Sequence, residues 1–90
     1  MINKVIEINA KPACEKILAK LLTDMVEPSR AEQGCERYDL YEDRTQAGRF
    51  LLFESWETEA ALEVHRHTEH MKNFKEKAPD LIADKASYSV

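Results

Sequence analysis

Ninety residues with a net charge of −4 suffice for one small domain, and such a domain buries only about two-thirds of the surface its unfolded chain exposes. The 13 basic residues are scattered among 17 acidic ones without a block, which argues against a nucleic-acid surface. No apolar run approaches the roughly 20 residues that span a bilayer. The N-terminus MINKVIEINAK lacks a secretory pattern, so Cys14 and Cys35 are expected as free, buried thiols of a cytoplasmic protein. Neither has the spacing of a structural zinc site.

Residues 2–10 alternate with period two, Ile2, Ile6 and Ile8 on one face against Asn3, Val5, Glu7 and Asn9 on the other, and predict a strand. Lys11-Pro12 ends it, with Pro12 suited to a first helical position. From Ala13 the apolar positions Cys14, Ile17, Leu18, Leu21, Leu22, Met25 and Val26 recur at three and four, the mark of an amphipathic helix. Pro28 predicts a kink near Glu27, after which SRAEQ carries the helix to Gly34.

CERYDLYED then sets Tyr38, Leu40 and Glu42 against Cys35, Arg37, Asp39 and Tyr41. It pairs through the loop TQAG with RFLLFESW as a hairpin. The second of these strands is apolar on both sides, with Phe50, Leu52 and Trp56 on one and Leu51 and Phe53 on the other. Thr58 is a suitable N-cap for the helix ETEAALEVHRH, where Ala61, Leu62 and His65 share a face. A short helix from Glu69 to Lys77, carrying Met71 and Phe74 inward, is expected to break at Ala78-Pro79, and KASYSV reads as a last strand. This order fits an α+β ferredoxin-like fold, a four-stranded antiparallel sheet with helices on one face. The uncovered sheet face predicts a homodimer packed through the sheets.

The stretches PSRAEQGCERYDLYED and FLLFESWETEAALEVHRHTEHMKNF resemble the antibiotic biosynthesis monooxygenase domain, over essentially all of residues 1–90. The most specific features are the proline-to-glycine stretch, Glu54-x-Trp56, and His65-x4-His70 followed by Met71. The resemblance implies a single domain that forms a dimeric α/β barrel, with a pocket between sheet and helices in each subunit. It also implies one of several chemistries: aromatic polyketide oxidation, quinol oxidation, haem breakdown or isomerisation of a small sugar derivative. The haem-degrading Asn, Trp and His set is absent in register, since His65 stands where that tryptophan would be. Leu52 occupies the position of the asparagine found in some polyketide oxidisers.

His65, beside Ala61 and Leu62, is positioned as a general base toward a phenolic hydroxyl; the alternative is a core histidine satisfied by a backbone carbonyl. His70 begins the next helix, where it caps backbone groups or points into the pocket mouth, and His67 faces solvent. Five residues of continuous helix separate His65 from His70 by about 140°. No histidine pair has the spacing of a helical metal site, so no metal is expected. Trp56 is expected to line the pocket or pack in the core, and Glu54 to pair with Arg37 or Arg30. Tyr38 and Tyr41 point to opposite faces. The substrate-binding set is Trp56, Phe53, Tyr38, Leu52, Phe74 and Met71. With the resemblance, these residues point to a cofactor-independent monooxygenase that oxidises a quinol or similar small aromatic with O2, with His65 and His70 as the catalytic pair, His65 deprotonating the bound hydroxyl and His70 assisting it. The alternatives are an isomerase or degradative enzyme for a small phosphorylated carbonyl compound, anchored by Arg66 or Lys72, and a non-catalytic dimer that binds a small hydrophobic ligand.

Overall fold

The computed structural model describes residues 1–90. Its elements are β1 (Ile2–Ala10), α1 (Glu15–Arg30), β2 (Cys35–Glu42), β3 (Arg49–Trp56), α2 (Glu59–Arg66), α3 (Glu69–Leu81) and β4 (Ile82–Ser89). The strands make one antiparallel sheet in the order β2-β3-β1-β4, the ferredoxin-like α+β arrangement that the order of elements predicts. Leu18, Leu21, Leu22 and Met25 of α1 form the core with Ile8 of β1 and Phe50, Leu52 and Trp56 of β3. No helix is long and apolar enough to cross a membrane.

The proline positions differ from expectation. Pro12 lies in a turn before α1, next to Ala13 at φ 69°, and the helix begins only at Glu15. Pro28 sits inside α1, which runs through it without a restart and ends at Arg30, short of Gly34. Pro79 likewise sits inside α3, which runs on to Leu81 and passes directly into β4 at Ile82. Both helical prolines are exposed, so water can satisfy the carbonyl one turn back that each leaves without a donor. The Lys11 ammonium donates to the Pro79 carbonyl at 3.0 Å, and the Lys11 backbone N–H to that of Leu81 at 2.8 Å, tying the end of α3 to β1.

Gly34 ends the turn after α1 at φ 83°, where a Cβ would stand 2.6 Å from that of Ala61. Its carbonyl accepts the Glu57 N–H at 2.7 Å. The turn holding Glu32 is thereby pressed against the start of α2, an approach only glycine permits.

Strand alternation sets which side chains meet the helices. Tyr38 of β2 faces them, level with Glu54 of β3 and Lys4 of β1. A bulge at Glu36 breaks the period between Cys35 and Arg37. It places Cys35 opposite Trp56 and against the core, not on the Arg37 face as alternation predicts. The other sheet face is bare, and Tyr41, Leu51 and Tyr88 on it are about half exposed. Phe53 belongs to that face, where the Arg37 guanidinium lies 4.1 Å above its ring.

Candidate active site

Between the helices and the covered sheet face lies a cavity of about 210 Å³. Its apolar wall includes Leu22 and Met25 of α1, Leu52 of β3, and Met71 and Phe74 of α3. Tyr38, Glu54 and His65 supply polar groups. Of the predicted binding set, Leu52, Tyr38, Phe74 and Met71 line this cavity. Phe53 does not, because residue 53 is odd in a strand whose even positions face the helices.

Trp56 is also not a cavity wall. It is fully buried behind His65, with ring centroids 4.5 Å apart, and its indole N–H donates to Glu54 Oε1 at 3.0 Å. Glu54 is therefore held by Trp56 and not by an arginine. Arg30 and Arg37 both bind Asp39, and Arg30 also donates to the Tyr38 carbonyl. The charge–charge attraction expected for Glu54 is replaced by a hydrogen bond within its own strand. Burial first, and the nearby Glu54 carboxylate second, push the Tyr38 phenol well above its ordinary value, so at neutral pH it is an uncharged hydroxyl.

His65 is 2 % exposed, near the end of α2. Its Nδ1 lies 2.6 Å from Glu32 Oε2, and His70 Nε2 lies 2.7 Å from the same oxygen. The helix break explains how two imidazoles five positions apart converge. Thr68 adopts φ −72°, ψ 161° and its hydroxyl oxygen accepts the Met71 N–H, starting α3 in a new direction. His70 accordingly binds a side chain, and Thr68 does the capping. His67 lies outside with Glu63, as its place in the sequence predicts.

A carboxylate only accepts hydrogen bonds, so against ionised Glu32 both facing nitrogens carry protons. His65 is then the Nδ1–H tautomer and its Nε2 lone pair is left for the cavity, which His65 lines. A carboxylate that fixes an imidazole's tautomer and stabilises its protonated form is the orienting partner of a general base. Glu32 Oε1 is buried without a partner. Two imidazoles and a carboxylate are also a donor set for a divalent transition metal, and these ligand atoms lie within 4.8 Å of one another. The divergence that one continuous helix would impose on His65 and His70 is removed by the joint between α2 and α3.

Glu32 is absent from the residues that sequence reasoning selects as functional. It lies 33 positions from His65, and its one local signal is an acid two residues before a glycine in PSRAEQG. Of the two proposed cationic anchors, Arg66 lines the cavity and Lys72 does not.

The sheet, the three covering helices and the enclosed acid–base cluster define a small α+β domain built around one cavity. The family model for antibiotic biosynthesis monooxygenase matches residues 1–77, and the chain belongs to that family. The uncharacterized protein sll1783 of Synechocystis is 41% identical over 83 residues, covering 92% of this chain but 56% of its own length. The Mycobacterium tuberculosis protein named "Putative monooxygenase Rv0793" is 35% identical over 80 residues, 89% of this chain and 78% of its own. The crystal structure of PA3566 from Pseudomonas aeruginosa superposes with a TM-score of 0.95 at 35% identity, over 99% of this chain and 90% of that one.

Proposed function

We propose that this chain is a cofactor-independent monooxygenase that oxidises a quinol or similar small aromatic with O2, working as a cytoplasmic homodimer. The observation that carries the reading is His65: buried, fixed by Glu32 at 2.6 Å, and lining an apolar cavity with Nε2 unbonded. Family membership and the relatives' names support the reaction class.

His65 Nε2 removes a proton from the bound hydroxyl, and Glu32 stabilises the imidazolium, with His70 holding the same carboxylate oxygen from the other side. The aryloxide gives one electron to O2, and the resulting radical and superoxide combine to form a carbon–oxygen bond and a substrate hydroperoxide. Loss of water leaves the hydroxylated quinone. One oxygen atom enters the ring, the other leaves as water, and the substrate supplies all four electrons. The neutral Tyr38 hydroxyl can donate to the developing oxyanion, while Leu52, Met71 and Phe74 exclude solvent.

The test is oxygen uptake with a panel of quinols. His65→Ala should lower turnover by at least about tenfold, in the range for loss of a general base; unchanged turnover refutes the reading. The Glu32, His65 and His70 donor set and the orphaned Glu32 Oε1 favour one second reading, in which these residues hold a metal. Turnover that survives exhaustive chelation supports the metal-free route, whereas turnover lost to chelation and restored by one divalent metal supports the second.

A further inference from the structure

The charged groups around the cavity are of the wrong sign for this protein. The chain carries a net −4, yet Lys4, Arg66 and Lys85 line the cavity against the single carboxylate of Glu54. These cations come from separate elements, β1, α2 and β4. Lys4 stands level with Glu54 across the β1–β3 pair, and Arg66 is engaged by Glu63 at 2.8 Å. Neither Lys4 nor Lys85 makes an ion pair, and Lys85 differs from Lys4 in having no carboxylate level with it across the sheet. Its cross-strand partner is Ile8, which is 2 % exposed. Ser87, two residues further along the same strand face, also lines the cavity. A solvated lysine against an apolar wall is a point charge suited to a carboxylate or phosphate.

Cavity size limits the rest of the ligand. An apolar cavity of about 150 Å³ holds benzene, so about 210 Å³ accommodates one substituted ring. The ring hydroxyl belongs at His65 and Tyr38, and the remaining polar end at the rim.

The geometry points to a single-ring hydroxyarene bearing an anionic substituent, a hydroxylated benzoate or its phosphorylated equivalent, as the ligand class of this cavity, with Lys85 as its anchor and Ser87 and Lys4 beside it. This rests on the cavity being the substrate site, as proposed above. Low-dielectric walls in which cations outnumber carboxylates attract and retain an anion, so the anionic group contributes to capture as well as to orientation.

The test is a binding titration under anaerobic conditions, which needs no turnover, comparing 2,5-dihydroxybenzoate with neutral hydroquinone and with dihydroxyphenyl phosphate. The anions should bind wild-type protein about tenfold tighter than hydroquinone, the scale of one charge-assisted contact. Lys85→Met should abolish that preference and leave hydroquinone binding unchanged, Lys85→Arg should restore it, and raised salt should weaken only the anions. Equal binding of anion and neutral ring, absence of binding by all three, or a preference that survives Lys85→Met overturns the proposal. The carboxylate and phosphate arms decide which anion fits. Anion preference without oxygen uptake keeps the ligand class and defeats the monooxygenase reading; rapid oxidation of neutral quinols without anion preference does the reverse.

Discussion

Glu32→Gln isolates the charge that holds the two imidazoles. Glutamine keeps the length and an accepting oxygen, but its hydrogen bonds are neutral. Glu32 makes bonds of 2.6 and 2.7 Å, its side chain is 11% exposed, and that of His65 is 3% exposed, so solvent screening is slight. Hydrogen bonds to a charged group contribute about 1.5–3 kcal/mol and neutral ones about 0.5–1.5, a loss of about 1 kcal/mol per bond. For two bonds the total is about 2 kcal/mol, which lowers Tm by about 10 °C in a chain of this length. The bond to His65 alone bears on proton abstraction, and its loss, together with the lost stabilisation of the imidazolium, should slow turnover about tenfold. Thermal melts read the first effect and oxygen uptake the second. Long-range ¹H–¹⁵N NMR of the wild-type rings should show His65 protonated at Nδ1 and His70 at Nε2. The opposite tautomer at His65 would refute the assignment outright. A variant that melts lower yet turns over at the wild-type rate would make the cluster a structural brace.

Three further outcomes follow from the geometry. Gly34→Ala should destabilise the fold by about 1–3 kcal/mol, since it combines a positive φ with a Cβ contact at 2.6 Å; chemical denaturation measures this, and a neutral result would show that the turn can move off Ala61. Tyr38 contributes to stability in alkali with a definite sign: its folded phenol binds its proton more tightly than the unfolded one, so stability is complete below the unfolded value near 10 and falls as pH rises above it. Urea midpoints between pH 8 and 11 should decline more steeply for wild type than for Tyr38→Phe, and parallel slopes would refute the burial argument. Sedimentation at micromolar concentration should give a dimer, weakened by Leu51→Lys on the bare face; a well-folded monomer would refute pairing through the sheets.

The strands were legible because one face of each meets the core, so hydrophobic alternation records which side is buried. The same logic separated Tyr38 from Tyr41. It failed where the period itself breaks: the bulge at Glu36 moved Cys35 to the core face. Pro28 and Pro79 misled because a helix tolerates proline when solvent can reach the freed carbonyl, and exposure depends on packing. Phe53 belongs to the predicted binding set although strand parity puts it on the face opposite Leu52 and Trp56. The Glu32, His65 and His70 cluster is half legible in the sequence. His65 faces inward as its helix position requires, but its meeting with His70 depends on a joint angle, and Glu32 arrives from another element through a long-range contact.

The joint at His67 and Thr68 has a consequence for how this pocket can diversify. Met71 and Phe74, which wall the cavity, ride on the same helix as His70. One added or deleted residue in the joint would move the start of that helix relative to α2, changing pocket shape and unhooking His70 from Glu32 at once. Joint length is therefore more constrained than joint composition. Variation in ligand preference should accumulate on the sheet side, at positions such as Leu52, Lys85 and Ser87, where a side chain can be exchanged without disturbing the Glu32, His65 and His70 contacts.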